Sequence, residues 1–482
     1  MAAPLGASPP TASLRPVLRD PDQRRIRVTD AERLIAKAKL RGDVGFAVAD
    51  AKTGLGLESG NPRLGLPPAS VAKALTALYA LDCLGETHRF ETQVLATGGI
   101  VNGEVQGDLV LVGGGDPTLD TKGLARLAAS LKEAGVSSVK GAFKVYDGHL
   151  HSQRQIDPGQ PDHVGYNPAI AGIALNYNRV HFEWKRGGNG YAITMDGRSG
   201  KYRPEVAMAA MKVANRRGPV YTYSDDGARD NWTVAKGALG KGGARWLPVR
   251  KPGLYAGDVF ATLAGSHGIR LPKPEVIDTL PQGEIAARHQ SGELRGILKD
   301  MLKWSTNLTA EMVGLAATRV RIGKVRALVE SAAEMNRWAI AELGMMAPKL
   351  VDHSGLGEAS EISAQDMVTG LVKANDADLR PILKQFVLRD SERRPKPNHP
   401  IRVDAKTGTL NFVSGLAGYM TARDGTELAF AIFSADEATR ATISRAQRER
   451  PPGARSWNGR AKRLQQALIE RWDALYGNVS KS

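Results

Sequence analysis

An apolar helix is predicted to start within the short stretch Pro67-Pro-Ala-Ser-Val-Ala-Lys73. The two prolines at its beginning end the preceding segment just before that helix. Ser70 and Lys73 lie three residues apart, so on a helix their side chains share one face. A serine hydroxyl is a weak nucleophile unless a base takes its proton, and lysine is such a base only when its pKa is lowered. The apolar neighbours predict a dry site for Lys73. At a helix start the Ser70 backbone N–H is also free to bind an oxyanion.

The spacing alone is not specific, because Ser137-Ser-Val-Lys140 has the same pattern. That copy leads into a predicted strand that begins near Val139, and residues three apart on a strand point to opposite faces. The second copy is therefore interpreted as a chance match, and the pair at Ser70 is favoured.

A second polar triplet, Ser305-Thr-Asn307, leads into a predicted helix and places a hydroxyl and an amide on a tight turn. The same pattern occurs at Ser59-Gly-Asn61 and Ser456-Trp-Asn458. Both of those copies are short polar stretches, and they are interpreted as ordinary loops.

A third pattern, Lys406-Thr-Gly-Thr409, follows a predicted strand at residues 401–405. Its rival, Lys52-Thr-Gly54, is a predicted turn and precedes the serine. We expect glycine at position 408 because a side chain there would block the approach of a substrate backbone to the strand.

The surrounding patterns predict one catalytic domain that is split by an insertion. Residues 27–88 and 250–482 form the catalytic domain, and residues 89–249 form a β-rich insertion of one or two small domains. The Pro- and Arg-rich residues 1–26 are expected to form an extended arm. Helices are predicted at 30–39, 69–84, 122–133, 256–263, 293–317, 326–343 and 459–475. Strands are predicted at 44–50, 56–58, 107–112, 139–146, 173–184, 401–405, 416–422 and 427–433.

The chain is strongly basic, with 66 Lys and Arg against 50 Asp and Glu and a formal net charge of +16. Such an excess favours contact with polyanions but does not choose among nucleic acid, anionic lipid and acidic wall polymers. It is densest at eight residues near the end of the chain, namely Arg440, Arg445, Arg448, Arg450, Arg455, Arg460, Lys462 and Arg463. This cluster is interpreted either as a solvated loop and helix face or as a patch that docks on a membrane surface or an anionic envelope polymer.

The composition excludes several kinds of site. Cys83 is the only cysteine, so neither an intrachain disulfide nor a cysteine-based zinc site is possible, and this thiol is expected to be buried in an apolar helix. The nine histidines show no metal-ligand spacing, so we expect no metal and no cofactor. Gly113-Gly-Gly-Asp116 lacks a following G-K-[ST] and predicts a tight turn rather than a phosphate-binding loop.

Targeting signals are also missing from the sequence. No run of 18 apolar residues occurs, and the first 16 residues contain no apolar core of a signal peptide. The pattern indicates either a cytosolic protein or a mature form whose leader has been removed.

The order S-x-x-K, S-x-N, K-T-G resembles the penicillin-binding proteins of the D-alanyl-D-alanine carboxypeptidase/endopeptidase family. Ser305 follows Lys73 by 232 residues, which resembles the low-molecular-mass class C group with its large insertion rather than compact β-lactamases. The resemblance extends from about residue 28 onward. Further matching stretches are Gly107-Asp-Leu-Val-Leu-Val-Gly-Gly-Gly-Asp-Pro-Thr118, Leu175-Asn-Tyr-Asn178, Asp352-His-Ser-Gly-Leu356 and Leu416-Ala-Gly-Tyr419. The resemblance implies an α/β (α+β) domain of the serine β-lactamase/transpeptidase type, an antiparallel sheet flanked by helices, with inserted β-rich domains.

The resemblance also implies roles in acyl transfer for five residues. Ser70 would attack the carbonyl of the penultimate D-alanine, with Lys73 as its general base. Ser305 would pass the proton to the leaving amine. Asn307 would hold a substrate amide and order the lysines, and Lys406 would keep Lys73 neutral by like-charge repulsion.

Substrate binding is implied for the strand that carries the third motif. Thr407 and Thr409 would bind the terminal carboxylate beside Gly408. The backbone N–H groups of Ser70 and Thr409 would form the oxyanion hole.

Two positions depart from the family pattern. His353 stands where glycine is expected, and Glu358-Ala-Ser-Glu361 replaces a more basic and polar stretch. Neither departure falls on a motif, so they concern the details of the substrate rather than activity.

As the resemblance implies, the partners are peptidoglycan stem peptides and β-lactam antibiotics, with no nucleic acid, and the location is periplasmic. The sequence leaves open whether carboxypeptidase or endopeptidase action dominates. The alternatives are a β-lactamase or S-x-x-K esterase, which would deacylate quickly, and a wall-binding scaffold without catalysis.

Overall fold

The structure is a computed structural model that describes residues 29–374, 379–390, 392 and 394–477. The predicted arm at residues 1–26 lies outside the described residues. The chain begins with helix α1 (Ala31–Ala38), strands β1 (Asp43–Asp50) and β2 (Gly56–Gly60), and helix α2 (Ala72–Leu84). These elements match the predicted helices and strands to within a few residues.

A β-rich part follows, and its strands are β3 (Glu91–Ala96), β4 (Ile100–Val101), β5 (Glu104–Val105), β6 (Leu109–Gly113), β7 (Ser138–Val139), β8 (Phe143–Tyr146), β9 (Arg179–Gly187), β10 (Gly190–Asp196), β11 (Ala209–Ala214), β12 (Tyr221–Asp225), β13 (Asp230–Ala235), β14 (Gly242–Pro248), β15 (Glu275–Ile277) and β16 (Glu284–Gln290). Its two helices are α3 (Thr121–Glu133) and α4 (Pro252–Ser266). A five-stranded sheet of order β15-β8-β6-β3-β16 is accompanied by three smaller sheets.

The last part is mainly helical around three long strands. Its helices are α5 (Leu294–Trp304), α6 (Asn307–Ile322), α7 (Leu328–Leu343), α8 (Ala364–Lys373), α9 (Glu437–Ala441) and α10 (Ala454–Tyr476). Its strands are β17 (Arg402–Leu410), β18 (Val413–Thr421) and β19 (Glu427–Ala435).

The two ends of the described chain share one antiparallel sheet of order β17-β18-β19-β1-β2. One face of this sheet packs on α2 and α5 to α8 through a large apolar core. The other face is covered by α1 and α10, where Leu464, Leu468 and Trp472 are buried as their helical spacing predicts. The sheet is thus buried on both faces, and the fold is the α+β class that the sequence indicates.

The return from the insertion, predicted at residue 250, is marked by the strand pairing and by the packing of α4. Helix α4 packs with α3 and β8 in the core of the inserted part, and strands β15 and β16 pair with β8 and β3. The apolar period of α4 predicts a helix correctly but does not say which sheet that helix covers. From the strand pairing, we propose that the catalytic part resumes near residue 291.

Helix α2 is apolar nearly all round, which explains why it is central to the catalytic part. Cys83, in its last turn, is partly buried against the core, and burial raises the pKa of its thiol to about 11. Within the described ranges, none of the helices combines the length and the apolar character that crossing a membrane requires.

Candidate active site

Ser70 lies in a single 3₁₀ turn, Ala69–Val71, that leads directly into α2. The preceding residue, Ala69, has a φ of 47°, in the left-handed region that a non-glycine residue adopts at a cost of order 1 kcal/mol. The surrounding structure must therefore hold this turn in place. The result is a serine presented at the start of a helix, as the sequence predicts.

Two glycines allow the structure to hold that turn. A Cβ atom at Gly408 on β17 would stand 2.5 Å from the Pro68 carbonyl oxygen, and a Cβ at Gly355 would overlap the Ala69 carbonyl oxygen. Gly408 is therefore required for packing of the strand on the serine turn. The sequence-based reason, access for a substrate backbone, stays a prediction.

Lys73 is fully buried, and its ammonium nitrogen contacts three groups. Its Nζ atom lies 2.9 Å from Ser70 Oγ. It also lies 2.8 Å from Asn307 Oδ1 and 2.7 Å from the Ser354 carbonyl oxygen. The predicted serine and lysine are therefore in direct contact, and both other partners are hydrogen-bond acceptors.

Burial lowers the pKa of Lys73 to about 8, while Glu311 and Asp352 act in the opposite direction. Burial also raises the pKa of the Glu311 carboxyl, to about 8. Desolvation disfavours the charged form of each group, so both shift toward neutrality. A lysine near neutrality is the species that can take a proton from a serine.

Ser305 separates α5 from α6, where the sequence predicts one helix over 293–317. Its φ of 58° ends α5, and Asn307 begins α6 with its amide in the cleft. The apolar period runs through this break, but the tight turn expected for the Ser305-Thr-Asn307 triplet lies at it. The Asn307 Nδ2 atom donates to the Tyr166 carbonyl oxygen at 3.0 Å, so both ends of its amide have protein partners.

Lys406 is 2 % exposed and lies across the cleft from Lys73. Its Nζ atom lies 3.0 Å from Ser305 Oγ and 2.7 Å from the Thr407 carbonyl oxygen. Burial, followed by the charges of Lys73 and Lys384, lowers the pKa of Lys406 to about 6. Burial is therefore the first cause of the lowered pKa of both lysines.

Strand β17 forms the edge of the catalytic sheet beside the serine. The Ala405 N–H donates to the Lys384 carbonyl on the free side of this strand, so the N–H groups of Thr407 and Thr409 face the same side. The side chains of both threonines are exposed, and Thr409 lines the cleft with Ser70. The strand thus offers hydroxyl and amide donors next to the serine.

Two of the rival patterns, Ser137-Ser-Val-Lys140 and Lys52-Thr-Gly54, lie away from this cleft. Residues 52–54 form a turn in which Asp50 Oδ1 accepts from the N–H groups of Lys52 and Thr53. Lys140 is exposed at the end of a two-residue strand. Neither rival belongs to the group of residues around Ser70.

The Ser456-Trp-Asn458 copy lies in α10 rather than in the expected loop, and Asn458 lines the cleft. Ser59 and Gly60 likewise belong to β2 and not to a loop.

The cleft above Ser70 has a volume of about 350 Å³ and includes residues that the motifs do not indicate. Tyr166 and Gln160 come from the inserted part, and the Tyr166 hydroxyl donates to Gln160 Oε1 at 3.1 Å. No sequence pattern indicates either residue, because the contact joins segments far apart in the chain. Glu311 is also outside the motifs, although it lies one helical turn after Asn307 on the same face of α6.

A segment at residues 436–453, here called the strap, closes the far side of the cleft and carries part of the basic cluster. Arg448 Nη1 lies 2.8 Å from Glu358 Oε1, and Arg445 Nη2 lies 2.9 Å from Asp162 Oδ1. Glu449 Oε2 contacts His163 Nε2 at 2.7 Å. The strap therefore joins the catalytic part to the inserted part.

His353, the departure from the family pattern, is fully buried between α2, α6 and α7. Its Nε2 atom lies 2.8 Å from Ser331 Oγ, and its ring stacks on Tyr79 with centroids 6.4 Å apart. A Cβ atom at Gly314 would overlap the ring, so this glycine makes the space. Burial lowers the pKa of His353 to about 3, so the ring is neutral at ordinary pH.

In the part of the chain that the structure describes, no group of three or more His, Cys, Asp or Glu side chains is placed so that it could hold a metal ion. Arginine and glutamate lie on the strap side of the cleft, whereas the polar groups that surround Ser70 itself are lysine, serine, threonine and asparagine. This set is suited to nucleophilic and acid–base chemistry.

Comparison with protein families gives a match to the model of the D-Ala-D-Ala carboxypeptidase 3 (S13) family over residues 28–450. Among individual proteins, the chain is 29% identical over 444 residues to a D-alanyl-D-alanine carboxypeptidase of Actinomadura sp. (strain R39), covering 84% of this chain and 80% of that protein. It is 26% identical over 398 residues to the D-alanyl-D-alanine carboxypeptidase DacB of Haemophilus influenzae, covering 76% and 79%.

The fold is also similar to that of a solved structure. The crystal structure of penicillin binding protein 4 (dacB) from Haemophilus influenzae matches with a TM-score of 0.69 and 22% identity. The match covers 84% of this chain and 93% of that one. A second structure of the same protein, complexed with a β-lactam, matches with a TM-score of 0.68.

Proposed function

The chain belongs to the D-Ala-D-Ala carboxypeptidase 3 (S13) family and is a serine carboxypeptidase of the penicillin-binding class, and from this premise we propose that it cleaves peptidoglycan stem peptides through an acyl-enzyme on Ser70. The observation that carries the proposal is the contact of a buried lysine with this serine, Lys73 Nζ to Ser70 Oγ at 2.9 Å. The roles of the other cleft residues are proposed from the same geometry.

Acylation needs a neutral Lys73 whose lone pair faces the serine. A neutral amine has two N–H bonds, and two of the three Nζ partners, Asn307 Oδ1 and the Ser354 carbonyl, accept only. When both N–H bonds are used there, the remaining lone pair is directed at the Ser70 hydroxyl. Ser70 Oγ then attacks the carbonyl carbon of the penultimate D-alanine, and its proton passes to Lys73 Nζ.

Breaking the peptide bond needs a proton at the leaving amine. Ser305 is proposed to deliver the proton that Lys73 took from Ser70, which returns Lys73 to its neutral form. The Ser305 hydroxyl lies 3.0 Å from Lys406 Nζ, a mainly neutral amine that can take up and return this proton. The C–N bond then breaks, the amine leaves, and water hydrolyses the ester to free Ser70. The lowered pKa of Lys406, about 6, supports a lysine that exchanges a proton near neutral pH.

The oxyanion and the substrate carboxylate are proposed to bind along β17. The N–H groups of Ser70 and Thr409 would hold the oxyanion of the tetrahedral intermediate. Loss of one such donor costs about 3 to 4 kcal/mol of barrier. Thr407 and Thr409 would bind the terminal carboxylate beside Gly408, since both hydroxyls are exposed at the free edge of the strand.

Covalent labelling tests this proposal. A fluorescent penicillin acylates the same serine, so the purified protein should be labelled and Ser70→Ala should not. Ser137→Ala, the serine of the rival triplet, is the matched control and should be labelled as fully as the unchanged protein. Equal labelling of the Ser70→Ala protein would overturn the assignment of the nucleophile. The lifetime of the labelled ester separates a penicillin-binding protein from a β-lactamase or esterase, which would lose the label quickly.

Both carboxypeptidase and endopeptidase action are proposed, because both cut after a D-alanine and differ only in what the leaving amine carries. The relevant measurement is digestion of intact, cross-linked wall material. Release of free D-alanine alone indicates a carboxypeptidase, and separation of cross-linked peptides indicates an endopeptidase. A scaffold without catalysis would release neither.

A periplasmic location and peripheral contact with an anionic envelope surface are also proposed, the former from the family alone. Three of the eight clustered basic residues, Arg440, Arg445 and Arg448, face acidic groups at the cleft. Of the other five, Arg450 lies in the strap and four lie on α10. Three of those four, Arg460, Lys462 and Arg463, line a groove of about 880 Å³ between α1 and α10. The basic residues that line this groove are Lys37, Lys39, Arg389, Lys396, Arg460, Lys462 and Arg463. Sedimentation with acidic and neutral vesicles, repeated with Lys462→Glu, measures whether this groove binds an anionic surface.

A further inference from the structure

A buried carboxylate that the proposed mechanism does not use lies directly behind the reacting lysine. Glu311 is 0 % exposed on α6. Its Oε2 atom accepts the His353 N–H at 2.9 Å, and its Oε1 atom accepts the Ser354 N–H at 3.0 Å. A carboxylate that receives two backbone donors from successive residues fixes the orientation of the peptide between them.

That peptide belongs to a loop, residues 352–357, which forms part of the site. The Ser354 carbonyl accepts from Lys73 Nζ at 2.7 Å, and the His353 carbonyl accepts from Thr76 Oγ1 at 2.6 Å. The loop also packs on the serine turn through Gly355. Any movement of the loop therefore moves one of the two acceptors that orient Lys73.

We propose that Glu311 is a positioning residue for the general base: it clamps the 352–357 loop so that the Ser354 carbonyl holds Lys73 with its lone pair toward Ser70. This inference rests on the proposed function, because it assigns a role relative to acylation of Ser70. Glu311 contacts the base only through the loop, and it touches no substrate.

Glu311 has a second, electrostatic effect on the pKa of Lys73, and so on the pH range in which Lys73 can act as the base. The charged and titratable groups that face it are Lys73 on α2 and Asp352 and His353 on the loop. Both carboxylates favour the protonated form of Lys73 and raise its pKa against the larger effect of burial. Because the pKa of Glu311 and that of Lys73 are both about 8, the two groups titrate together as a pair. Replacing Glu311 by an uncharged residue leaves Lys73 to lose its proton alone, at a lower pH.

The test compares Glu311→Gln with Glu311→Asp by the second-order rate constant for acylation with a fluorescent penicillin, measured from pH 5 to pH 10. The amide that replaces the carboxylate in Glu311→Gln accepts only one of the two backbone N–H groups, so acylation should fall about tenfold to a hundredfold. Because Lys73 then titrates without a carboxyl partner, the acidic limb of the pH profile should move about one unit lower. Glu311→Asp keeps a carboxyl that titrates with Lys73, so it should lower the rate and leave that limb in place.

Glu334→Gln is the matched control, since Glu334 is also a buried acid but pairs with Arg321 and Arg337 on the far side of α7. It should lower the melting temperature with no shift of the acidic limb. Equal rate and pH profile for Glu311→Gln and the unchanged protein would overturn the inference, as would a lowered rate with an unmoved limb in the same variant. If the unchanged protein is not labelled at all, the proposed function fails instead.

Discussion

Lys73 and Lys406 are 0 % and 2 % exposed, whereas Arg445 and Asp162, which join the strap to the inserted part beside the same cleft, expose 48 % and 32 % of their side chains. The buried wall of the cleft lies on the catalytic sheet and helices, and its polar groups contact one another away from water. It consists of Ser70, Lys73, Ser305, Asn307 and Lys406. The exposed wall consists of the strap and the part of the insertion that faces it, and its ion pairs are open to water and salt. A lost partner is replaced by solvent on the exposed wall but not on the buried wall.

This difference separates the residues that carry out acylation from those that select the substrate. The buried wall sets the pKa of the lysines, so it must be kept as a unit. The exposed wall meets whatever the substrate carries beyond the bond that is cut, and changes there cost little stability. We therefore expect substitutions on the buried wall to abolish acylation and substitutions on the exposed wall to alter substrate preference.

The largest effect is expected from Gly408→Ala, which tests whether the buried wall tolerates a single methyl group. The new Cβ would stand 2.5 Å from the Pro68 carbonyl oxygen and 3.1 Å from the Ser70 nitrogen, so the strand or the serine turn must shift. Displacement of reacting groups by about 1 Å costs about a hundredfold in rate, and overpacking destabilises by about 1 to 3 kcal/mol. Stopped-flow acylation and thermal unfolding measure the two effects.

Gly56→Ala supplies the comparison for that experiment, because a Cβ at Gly56 meets no atom within 4 Å. It should change neither the rate nor the stability. Full activity of Gly408→Ala would mean that the serine turn and β17 are not held as tightly as their packing indicates.

A smaller effect, on stability rather than rate, is expected from His353. The pKa of this buried imidazole is lowered to about 3, below its ordinary value near 6.5, so below pH 6.5 the unfolded chain takes up a proton that the folded chain does not. Stability is therefore lost as the pH falls, by about 2 kcal/mol between pH 7 and pH 5 from this group. Urea unfolding at the two pH values measures it.

His353→Asn removes the titrating group, and its smaller side chain lowers stability equally at both pH values. The difference between pH 7 and pH 5 should therefore shrink by about 2 kcal/mol in this variant. His267→Asn, at an exposed position, should keep the full difference. An unchanged pH dependence in His353→Asn would show that the ring is not held neutral.

The sequence predicts the buried wall far better than the exposed one, and the reason is physical. Ser70, Lys73 and Lys406 lie in short patterns, since a helix or strand brings residues a few positions apart onto one face. Tyr166 meets Asn307 across 141 residues, and no local period encodes such a contact. Helix α4 shows the same limit for the fold, because its apolar face predicts burial without identifying the sheet that buries it.

Glu311 lies between these two cases. Its position four residues after Asn307 puts it on the same helical face as the motif, so its proximity to the site could have been predicted. Its bonds to the backbone at residues 353 and 354 could not, because they depend on a loop that arrives from another part of the chain. The break at Ser305 is a similar case, because the motif predicts a turn there although the apolar positions of α5 and α6 continue one helical period across it.

The smallest effect is expected on the exposed wall, at the ion pair of Arg445 with Asp162. A double-mutant cycle with Arg445→Ala and Asp162→Ala should give a coupling energy of about 0.2 to 1 kcal/mol that decreases with added salt. Acylation by a small penicillin should stay within about twofold, since neither residue touches Ser70 or Lys73. The KM for a stem peptide should rise more than kcat falls, because the strap faces the substrate and not the reacting bond.

The equally exposed pair Arg89–Glu293, outside the cleft, should show a similar coupling energy and no change in KM. A loss of penicillin acylation in Arg445→Ala as large as that in Gly408→Ala would contradict the separation of the two walls, because it would make the strap part of the acylating machinery.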